Sequence, residues 1–245
     1  MLGKYSNFKE SIYSLISPLF PKGVSRKLNG TYIRFPLRVA RFFPRDYEPR
    51  KHKFIEEKAF GIAVDGGAHI GYYSVLLARN CRKVIAFEPT ETSRRILNKT
   101  LSFNEITNVE IRNEALGAEK GYYFFEEDDR NFASVSNKVT NSETKKRVNT
   151  ISLDSLDIKI DFLKLDIEGS EILALKGATK VLSELRYLAL EIHPSLIEQL
   201  GYSVQEIFEI LDRHNPHYFL EGREVDSTFL NTQKDNFEIN VVLDH

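Results

Sequence analysis

The chain has 245 residues, of which 42% are apolar and 28% are charged, a composition typical of a folded protein with a substantial core. Its single cysteine excludes an intramolecular disulfide and a cysteine-based metal site. No segment reaches the run of roughly 18 apolar residues that a membrane-spanning helix needs, and the amino terminus lacks the apolar centre of a signal peptide. These features predict a cytoplasmic protein without a transmembrane segment.

The charge is distributed unevenly along the chain. Residues 1–53 contain 12 Lys and Arg against three acidic residues, whereas the remainder carries a net charge of −10. We therefore divide the chain into a basic N-terminal extension, residues 1–58, and a domain, residues 59–245. A basic arm of this kind can attract an anionic partner, but the simpler interpretation is a solvated collar on an acidic domain.

From residue 61 onward, short apolar strands alternate with helical segments. The predicted strands are 61–65, 83–87, 109–113, 161–165, 187–192, 217–220 and 237–243, and the predicted helices are 72–79, 91–104, 170–182 and 204–214. This alternation predicts an α/β fold with a mostly parallel, seven-stranded sheet and helices on both faces. The two closing strands have no helix between them, which predicts one antiparallel strand near the edge. Residues 122–153 interrupt the pattern and are predicted to be inserted strands and loops beside a substrate pocket.

A glycine-rich turn lies directly between the first predicted strand and the first predicted helix. It reads Val-Asp-Gly-Gly-Ala-His-Ile-Gly over residues 64–71, and its glycines allow the backbone to approach a ligand closely. Ala68 stands where the dinucleotide-binding pattern G-x-G-x-x-G has its second glycine, which argues against NAD. Glu88 follows the second strand, where an acidic side chain can accept hydrogen bonds from both ribose hydroxyls. The combination predicts a nucleoside-containing ligand.

A second group of polar residues lies at the ends of the fourth and fifth strands. Strand alternation places Lys164 and Asp166 on one face, and Glu168 follows in the next turn. This pattern is compatible with a structural ion pair and with a functional role. Glu191 and His193 share a face at the end of the next strand, where an imidazole beside a carboxylate indicates a general base or a substrate-binding group.

Together these motifs resemble the FkbM family of class I methyltransferases. The resemblance extends from residue 61 to residue 194 and includes the turn at 64–74, Phe87-Glu88-Pro89 and the segments 113–117 and 164–171. It implies a Rossmann-like class I methyltransferase fold and S-adenosylmethionine as the methyl donor. It also implies O-methylation of a sugar or glycan, a lipid such as a glycolipid, or a small metabolite. His69 departs from the asparagine that is common at its position.

The resemblance further implies roles for individual residues. The expected donor site comprises Asp65, Gly66, Gly67, Ala68, His69 and Gly71 around the methionine half, Glu88 and Pro89 at the ribose, and Asn113, Glu114 and Ala115 beside the adenine. The expected catalytic residues are Lys164, Asp166, Glu168, Glu191 and His193. Asp166, Glu168 and His193 are the candidate bases. Lys164 either holds Asp166 ionised or acts as the base itself.

Three other functions stay open on the sequence. A nucleic-acid or protein methyltransferase would suit the basic arm. However, Asp166-Ile167-Glu168-Gly169 replaces the Asn/Asp-Pro-Pro-aromatic turn common in enzymes that methylate nucleic-acid amino groups. A non-catalytic scaffold would bind the nucleoside cofactor without transferring a methyl group. The carboxylates also leave a Mg²⁺-assisted variant open, although we assign no metal ligand.

Overall fold

The computed structural model describes residues 16–126, 138–140 and 146–244. Their strands are β1 (Val24–Leu28), β2 (Thr31–Phe35), β3 (Ile62–Gly66), β4 (Lys83–Phe87), β5 (Val109–Arg112), β6 (Ala115–Leu116), β7 (Gly121–Glu126), β8 (Lys138–Thr140), β9 (Lys146–Ile151), β10 (Phe162–Leu165), β11 (Tyr187–Ile192), β12 (Pro216–Leu220), β13 (Arg223–Val225) and β14 (Phe237–Leu243). Their helices are α1 (Leu37–Ala40), α2 (Pro49–Lys58), α3 (Tyr72–Asn80), α4 (Glu91–Phe103), α5 (Glu171–Lys176), α6 (Thr179–Leu182), α7 (Pro194–Gln199), α8 (Val204–Leu211) and α9 (Ser227–Leu230). Among these described helices, none is both long enough and apolar enough to cross a bilayer.

The main sheet has eight strands in the order β13-β12-β14-β11-β10-β3-β4-β5. The five strands from β5 to β11 run parallel, and β14 runs antiparallel to both β11 and β12. The fold is the predicted Rossmann-like α/β fold. The main sheet contains the seven predicted strands, with β14 as the antiparallel strand near the edge, and one additional strand, β13. This three-residue edge strand is too short to stand out as an apolar run. It pairs antiparallel with β12 through a hairpin in which Glu221 and Gly222 both have positive φ.

Side-chain alternation gives the two faces of the sheet different partners. On one face, Leu163 and Leu165 of β10 join a core with residues of α5, α6 and α8. On the other face, Phe162 packs in a core with residues of α2 and α3, and Lys164 shares that face. By the same alternation, Asp65, Glu191 and Glu238 lie on the face of Lys164. The charged strand residues therefore converge on the side of the sheet that α2 and α3 cover.

The N-terminal segment from β1 to α2 packs onto this second face. Leu28, Phe35 and Ile55 are buried in the same hydrophobic cluster as Val75 of α3 and Phe162 of β10. This packing brings α2 beside β11 and β14. The division of the chain at residue 58 stays a prediction about its organisation.

A second sheet of four strands, β6-β9-β7-β8, follows β5. It contains the described part of the predicted insertion at 122–153, and residues 127–137 and 141–145 lie outside the described residues. The predicted helix at 170–182 is interrupted, since α5 ends at Lys176 and α6 begins at Thr179. Gly177 lies at the interruption, where a Cβ atom would overlap the main-chain oxygen of Gly117.

Candidate active site

The glycine-rich turn joins β3 to α3 and is tied to its neighbours by its backbone. Gly67 and Gly71 have φ angles of 78° and 94°, a conformation that favours glycine. The N–H of Gly67 donates to the main-chain oxygen of Phe87 at the end of β4, over 3.0 Å. A Cβ atom on Gly67 would overlap the main-chain oxygen of Asp166. The turn therefore lies directly against the end of β10.

Glu88 supports this turn from the end of β4. Its buried carboxylate accepts hydrogen bonds from the N–H of His69 over 2.9 Å and from the N–H of Thr90 over 2.8 Å. His69 has a φ of 48°, a strained conformation for a residue other than glycine, so the hydrogen bond helps to hold it. Burial raises the pKa of Glu88 against the opposing effect of these two hydrogen bonds. A carboxylate has about four lone-pair sites, so Glu88 can support the turn and still accept from a ligand hydroxyl.

The residues expected beside the adenine follow β5. Asn113 is exposed, and Ala115 is buried at the start of β6. Glu114 forms a bidentate ion pair with Arg112, with nitrogen–oxygen distances of 2.7 and 3.2 Å. Arg112 was not predicted as a site residue, because its only signal in the sequence is its place at a strand end two residues before Glu114.

Lys164 connects the glycine-rich turn to the end of β10. Its Nζ lies 3.2 Å from Asp65 Oδ1 and 3.7 Å from Asp166 Oδ2. It also donates to the main-chain oxygens of Gly66 and Gly67 over 3.1 and 2.9 Å. Burial alone would lower the pKa of Lys164, but the charges of Asp65 and Asp166 outweigh burial and raise it. Lys164 therefore stays an ammonium at neutral pH, which favours the interpretation that it holds Asp166 ionised.

A second buried ammonium belongs to Lys51 of α2, a residue that the sequence did not indicate as part of the site. Its Nζ lies 2.7 Å from Glu48 Oε2, 2.7 Å from Glu191 Oε2, 3.3 Å from Glu238 Oε2 and 3.9 Å from Asp166 Oδ2. The residue is 1% exposed. The only local signal was the i,i+3 spacing of Glu48 and Lys51, because the other contacts join residues far apart in the chain.

Glu171 organises the turn that follows β10. As an acidic residue in the first turn of α5 it also stabilises that helix through the helix dipole. It is fully buried, and its Oε1 accepts the N–H groups of Ile167 and Gly169 over 3.1 and 3.2 Å. Nδ1 of His193 lies 3.0 Å from the same oxygen. A hydrogen bond at one ring nitrogen orients the whole imidazole, so Glu171 leaves Nε2 of His193 facing the strand ends.

His193 and Glu168 face each other at these strand ends. His193 Nε2 lies 3.6 Å from Glu168 Oε2 and 3.7 Å from Glu191 Oε1. Burial alone would lower the pKa of His193, but the hydrogen bond to Glu171 and the nearby carboxylates raise it to about 9. The side chain of Glu168 is 34% exposed, and burial of the remainder raises its pKa to about 7. Glu168 is thus a carboxylate that titrates near neutral pH.

Comparison with protein families identifies the chain. The family model described as the methyltransferase FkbM domain matches residues 65–218, a range that includes the glycine-rich turn, Glu88 and the ends of β10 and β11. The chain belongs to the FkbM methyltransferase family. It is an S-adenosylmethionine-dependent methyltransferase, as its motifs predicted. A search of curated proteins returns no match.

Solved structures agree with the fold of this FkbM methyltransferase. An rRNA methylase from Streptococcus thermophilus is 18% identical with a TM-score of 0.51, and the match covers 83% of this chain and 99% of that chain. A proposed rRNA methylase from Clostridium thermocellum is 11% identical with a TM-score of 0.50, and the match covers 83% of this chain and 98% of that chain. At this level of identity, the comparison shows a shared fold.

The residues of the FkbM methyltransferase around the turn fit its cofactor. The expected donor residues lie along the turn and at the ends of β4 and β5. One buried polar atom beside the turn, His69 Nε2, has no hydrogen-bond partner among the described residues, whereas Asp65 Oδ1 faces the Lys164 ammonium at 3.2 Å. Burial lowers the pKa of His69 to about 4, so its ring is neutral at neutral pH. The methionine half of the cofactor carries an ammonium and a carboxylate, which can satisfy such an atom on binding.

Proposed function

We propose that this methyltransferase acts in the cytoplasm on a hydroxyl oxygen of a sugar, a glycolipid or another small neutral metabolite, with Glu168 as the general base. The observation that carries the proposal is the position of Glu168, a partly exposed carboxylate whose pKa of about 7 lies close to physiological pH. A hydroxyl acceptor must lose its proton during methyl transfer. A base whose pKa lies near the working pH is best suited to remove it.

The other candidate bases are less suited to this step. Burial would raise the pKa of Asp166, but the charges of Lys164 and Lys51 outweigh burial and lower it, so Asp166 is ionised and weakly basic. His193, with a pKa of about 9, is mostly protonated at neutral pH. Its imidazolium instead stabilises the ionised form of Glu168, which must be present before the proton is taken.

The proposed reaction is an in-line displacement. When bound, S-adenosylmethionine supplies a methyl group on a positively charged sulfur. The acceptor oxygen bonds to the methyl carbon as the carbon–sulfur bond breaks, and that electron pair stays on sulfur. Glu168 receives the proton of the acceptor hydroxyl. Lys164 contributes by positioning, since it bonds the donor-binding turn on one side and faces Asp166 on the other.

The charge of the strand ends supports a neutral acceptor. We call Glu48, Lys51, Asp166, Glu168, Glu191, His193 and Glu238 the acceptor-side cluster. Its five carboxylate side chains are 24–34% exposed, whereas the Lys51 side chain is 2% exposed. An entering acceptor therefore meets carboxylate oxygens, which accept hydrogen bonds from hydroxyls and repel phosphate. The basic N-terminal segment is the proposed contact for any anionic part of the acceptor remote from the reacting hydroxyl.

A transfer assay tests this proposal. The protein is incubated with S-adenosylmethionine and neutral glycosides, glycolipid extracts or ribosomal RNA, and methyl gain is measured by mass spectrometry. NMR of the product then locates the methyl group. We expect an O-methyl product from the neutral acceptors and none from RNA. Transfer to RNA alone, or to nitrogen, would contradict the proposal.

A further inference from the structure

Lys51 joins elements that are distant in sequence. It lies in α2, yet its ammonium contacts the carboxylates of Glu191 in β11 and Glu238 in β14 over 2.7 and 3.3 Å. Glu48, at the N-terminal end of α2, is 2.7 Å away. The N-terminal segment thus reaches the centre of the acceptor-side cluster through one buried charge.

The carboxylates around Lys51 need a cation. Oxygens of Glu48, Glu191 and Glu238 all lie within 4.8 Å of one another, a spacing at which three carboxylates can share one metal ion. Carboxylates this close repel one another strongly when all are ionised. The ammonium of Lys51 lies within hydrogen-bonding distance of all three, where such a cation would be needed.

Two further contacts fix the ammonium. Its Nζ lies 5.2 Å from the centre of the Tyr73 ring, a cation–π contact. The hydroxyl of Tyr73 donates a hydrogen bond of 2.5 Å to Glu48 Oε2, the oxygen that also faces Lys51. The lysine is therefore held from the α2 side, the α3 side and the sheet.

We propose that Lys51 is a positioning residue, a built-in cation that holds the acceptor-side carboxylates as a divalent metal ion would. Through Lys51, the N-terminal segment completes the active site. Glu191 and Asp166 can then be ionised and ordered side by side, next to His193 and Glu168. The link to methyl transfer rests on the proposed function, whereas the occupation of the carboxylate cluster by Lys51 does not.

Manganese binding tests the proposal without an acceptor. Lys51→Ala should leave Glu48, Glu191 and Glu238 without their cation, so Mn²⁺ measured by electron paramagnetic resonance should bind at least tenfold more tightly than to the wild type. Lys51→Arg should not gain this site, and Glu238→Gln added to Lys51→Ala should remove it. Lys53→Ala is the matched control, because Lys53 lies in the same helix with a 74% exposed side chain.

Two outcomes of the Mn²⁺ measurement would overturn the proposed role of Lys51. Unchanged Mn²⁺ affinity in folded Lys51→Ala would show that Lys51 does not occupy a cation position. If the wild type itself bound Mn²⁺ as tightly as Lys51→Ala does, Lys51 would again be shown not to occupy the cation position. If Lys51→Ala fails to fold, Lys51→Met keeps most of the side-chain volume without the charge and is folded in the presence of Mn²⁺, because removal of one partner leaves the carboxylates unpaired. Its Mn²⁺ binding is compared with that of the wild type, and Lys51→Met combined with Glu238→Gln, which has fewer unpaired carboxylates, is the control that should lack the site. Wild-type binding is measured in either case.

Turnover separates positioning from a purely structural role. With an acceptor found in the transfer assay, Lys51→Ala should lower kcat at least tenfold with unchanged affinity for S-adenosylhomocysteine. Added Mn²⁺ should restore part of kcat in Lys51→Ala and none in Lys53→Ala. Normal kcat in Lys51→Ala would overturn the positioning role. Absence of any hydroxyl acceptor would instead count against the proposed function and leave the Mn²⁺ result standing.

Discussion

The two halves of the proposed active site are held together in different ways. The donor side, formed by the turn at 64–71 and Glu88, is held by hydrogen bonds from main-chain N–H groups, such as that from the N–H of His69 to the carboxylate of Glu88, 19 residues away. The acceptor-side cluster is held by ion pairs between side chains, and Lys51 and Glu191 are 140 residues apart. The contact between the turn and Glu88 is therefore local in the chain, although Lys164 also bonds Gly66 and Gly67 from a distant strand. The ion pairs between Lys51 and the sheet, in contrast, depend on the whole fold.

Both halves contain residues other than glycine with positive φ, and different side chains hold these strained conformations in place. His69 on the donor side has a φ of 48°, and Glu48 and Glu168 on the acceptor side have φ values of 41° and 53°. The Glu88 carboxylate supports His69 by accepting one hydrogen bond from its main-chain N–H. Glu171 supports the turn of Glu168 by accepting from the residues on either side of it. Such conformations persist where the surroundings over-determine them, as they do at functional sites.

The largest effect should come where the halves touch. Gly67→Ala places a methyl group against the main-chain oxygen of Asp166 and requires alanine at a φ of 78°. We expect a loss of about 4 kcal/mol or more in the free energy of unfolding, measured by urea denaturation. Gly222→Ala is the matched control, because Gly222 has the same φ of 78° with no atom within 4 Å of the added methyl. Its loss should be about 1–2 kcal/mol, and equal losses would show that the two halves are not in contact there.

The next largest effect should be on turnover at the acceptor side. Glu168→Gln removes the proposed base with little change in shape, so kcat should fall by about 10²–10⁴-fold. The affinity for S-adenosylhomocysteine should change little, because Glu168 lies outside the donor side. The wild-type profile of kcat/KM should rise with pH through about 7, the pKa of Glu168, and this rise should be absent in the variant.

Glu198→Gln provides the control for this experiment. Glu198 is exposed in α7, the helix that follows His193. Its replacement by glutamine removes the same charge as Glu168→Gln does. The kcat of Glu198→Gln should equal that of the wild type. A Glu168→Gln enzyme with normal turnover would remove Glu168 from the mechanism and shift the role of base to Asp166 or His193.

The charge network of the acceptor side should also make stability depend on pH. The pKa of His193 is about 9 in the folded protein and about 6.5 in an unfolded chain. Its stabilisation is therefore fully present below about pH 6.5 and is lost as the pH rises through about 9. The stability difference between wild type and His193→Gln should shrink by roughly 3 kcal/mol between pH 6 and pH 10.

His217→Gln distinguishes this network from a general histidine effect. His217 has ion pairs with Glu224 and Asp244, but its side chain is 48% exposed. Its removal should change the pH dependence of unfolding only slightly. Parallel stability curves for His193→Gln and the wild type would show that the imidazolium contributes no stability.

The contrast between the halves also explains what the sequence could predict. The glycine-rich turn, the place of Glu88 and the alternation of strands and helices follow from local spacing, and the family match confirms the methyltransferase assignment. Lys164 and Asp166 were expected on one face because strand alternation is local. Lys51 was missed because nothing around it in the chain reveals that α2 packs beside β11 and β14. Glu171 has the sequence position of an ordinary first-turn acid, and only its contact with His193 in the folded chain distinguishes it.

The smallest predicted effect concerns the donor side. Glu88→Ala should weaken binding of S-adenosylhomocysteine by about 1–3 kcal/mol, the usual loss for a charged hydrogen-bond acceptor, as measured by calorimetry. The variant should also lose some stability, because the N–H groups of His69 and Thr90 each lose an acceptor. Glu91→Ala is the control, since its exposed carboxylate pairs with Arg95 and should leave affinity unchanged. If folded Glu88→Ala binds the ligand normally, Glu88 serves the turn and not the ribose. The donor side would then depend on the glycine-rich turn alone.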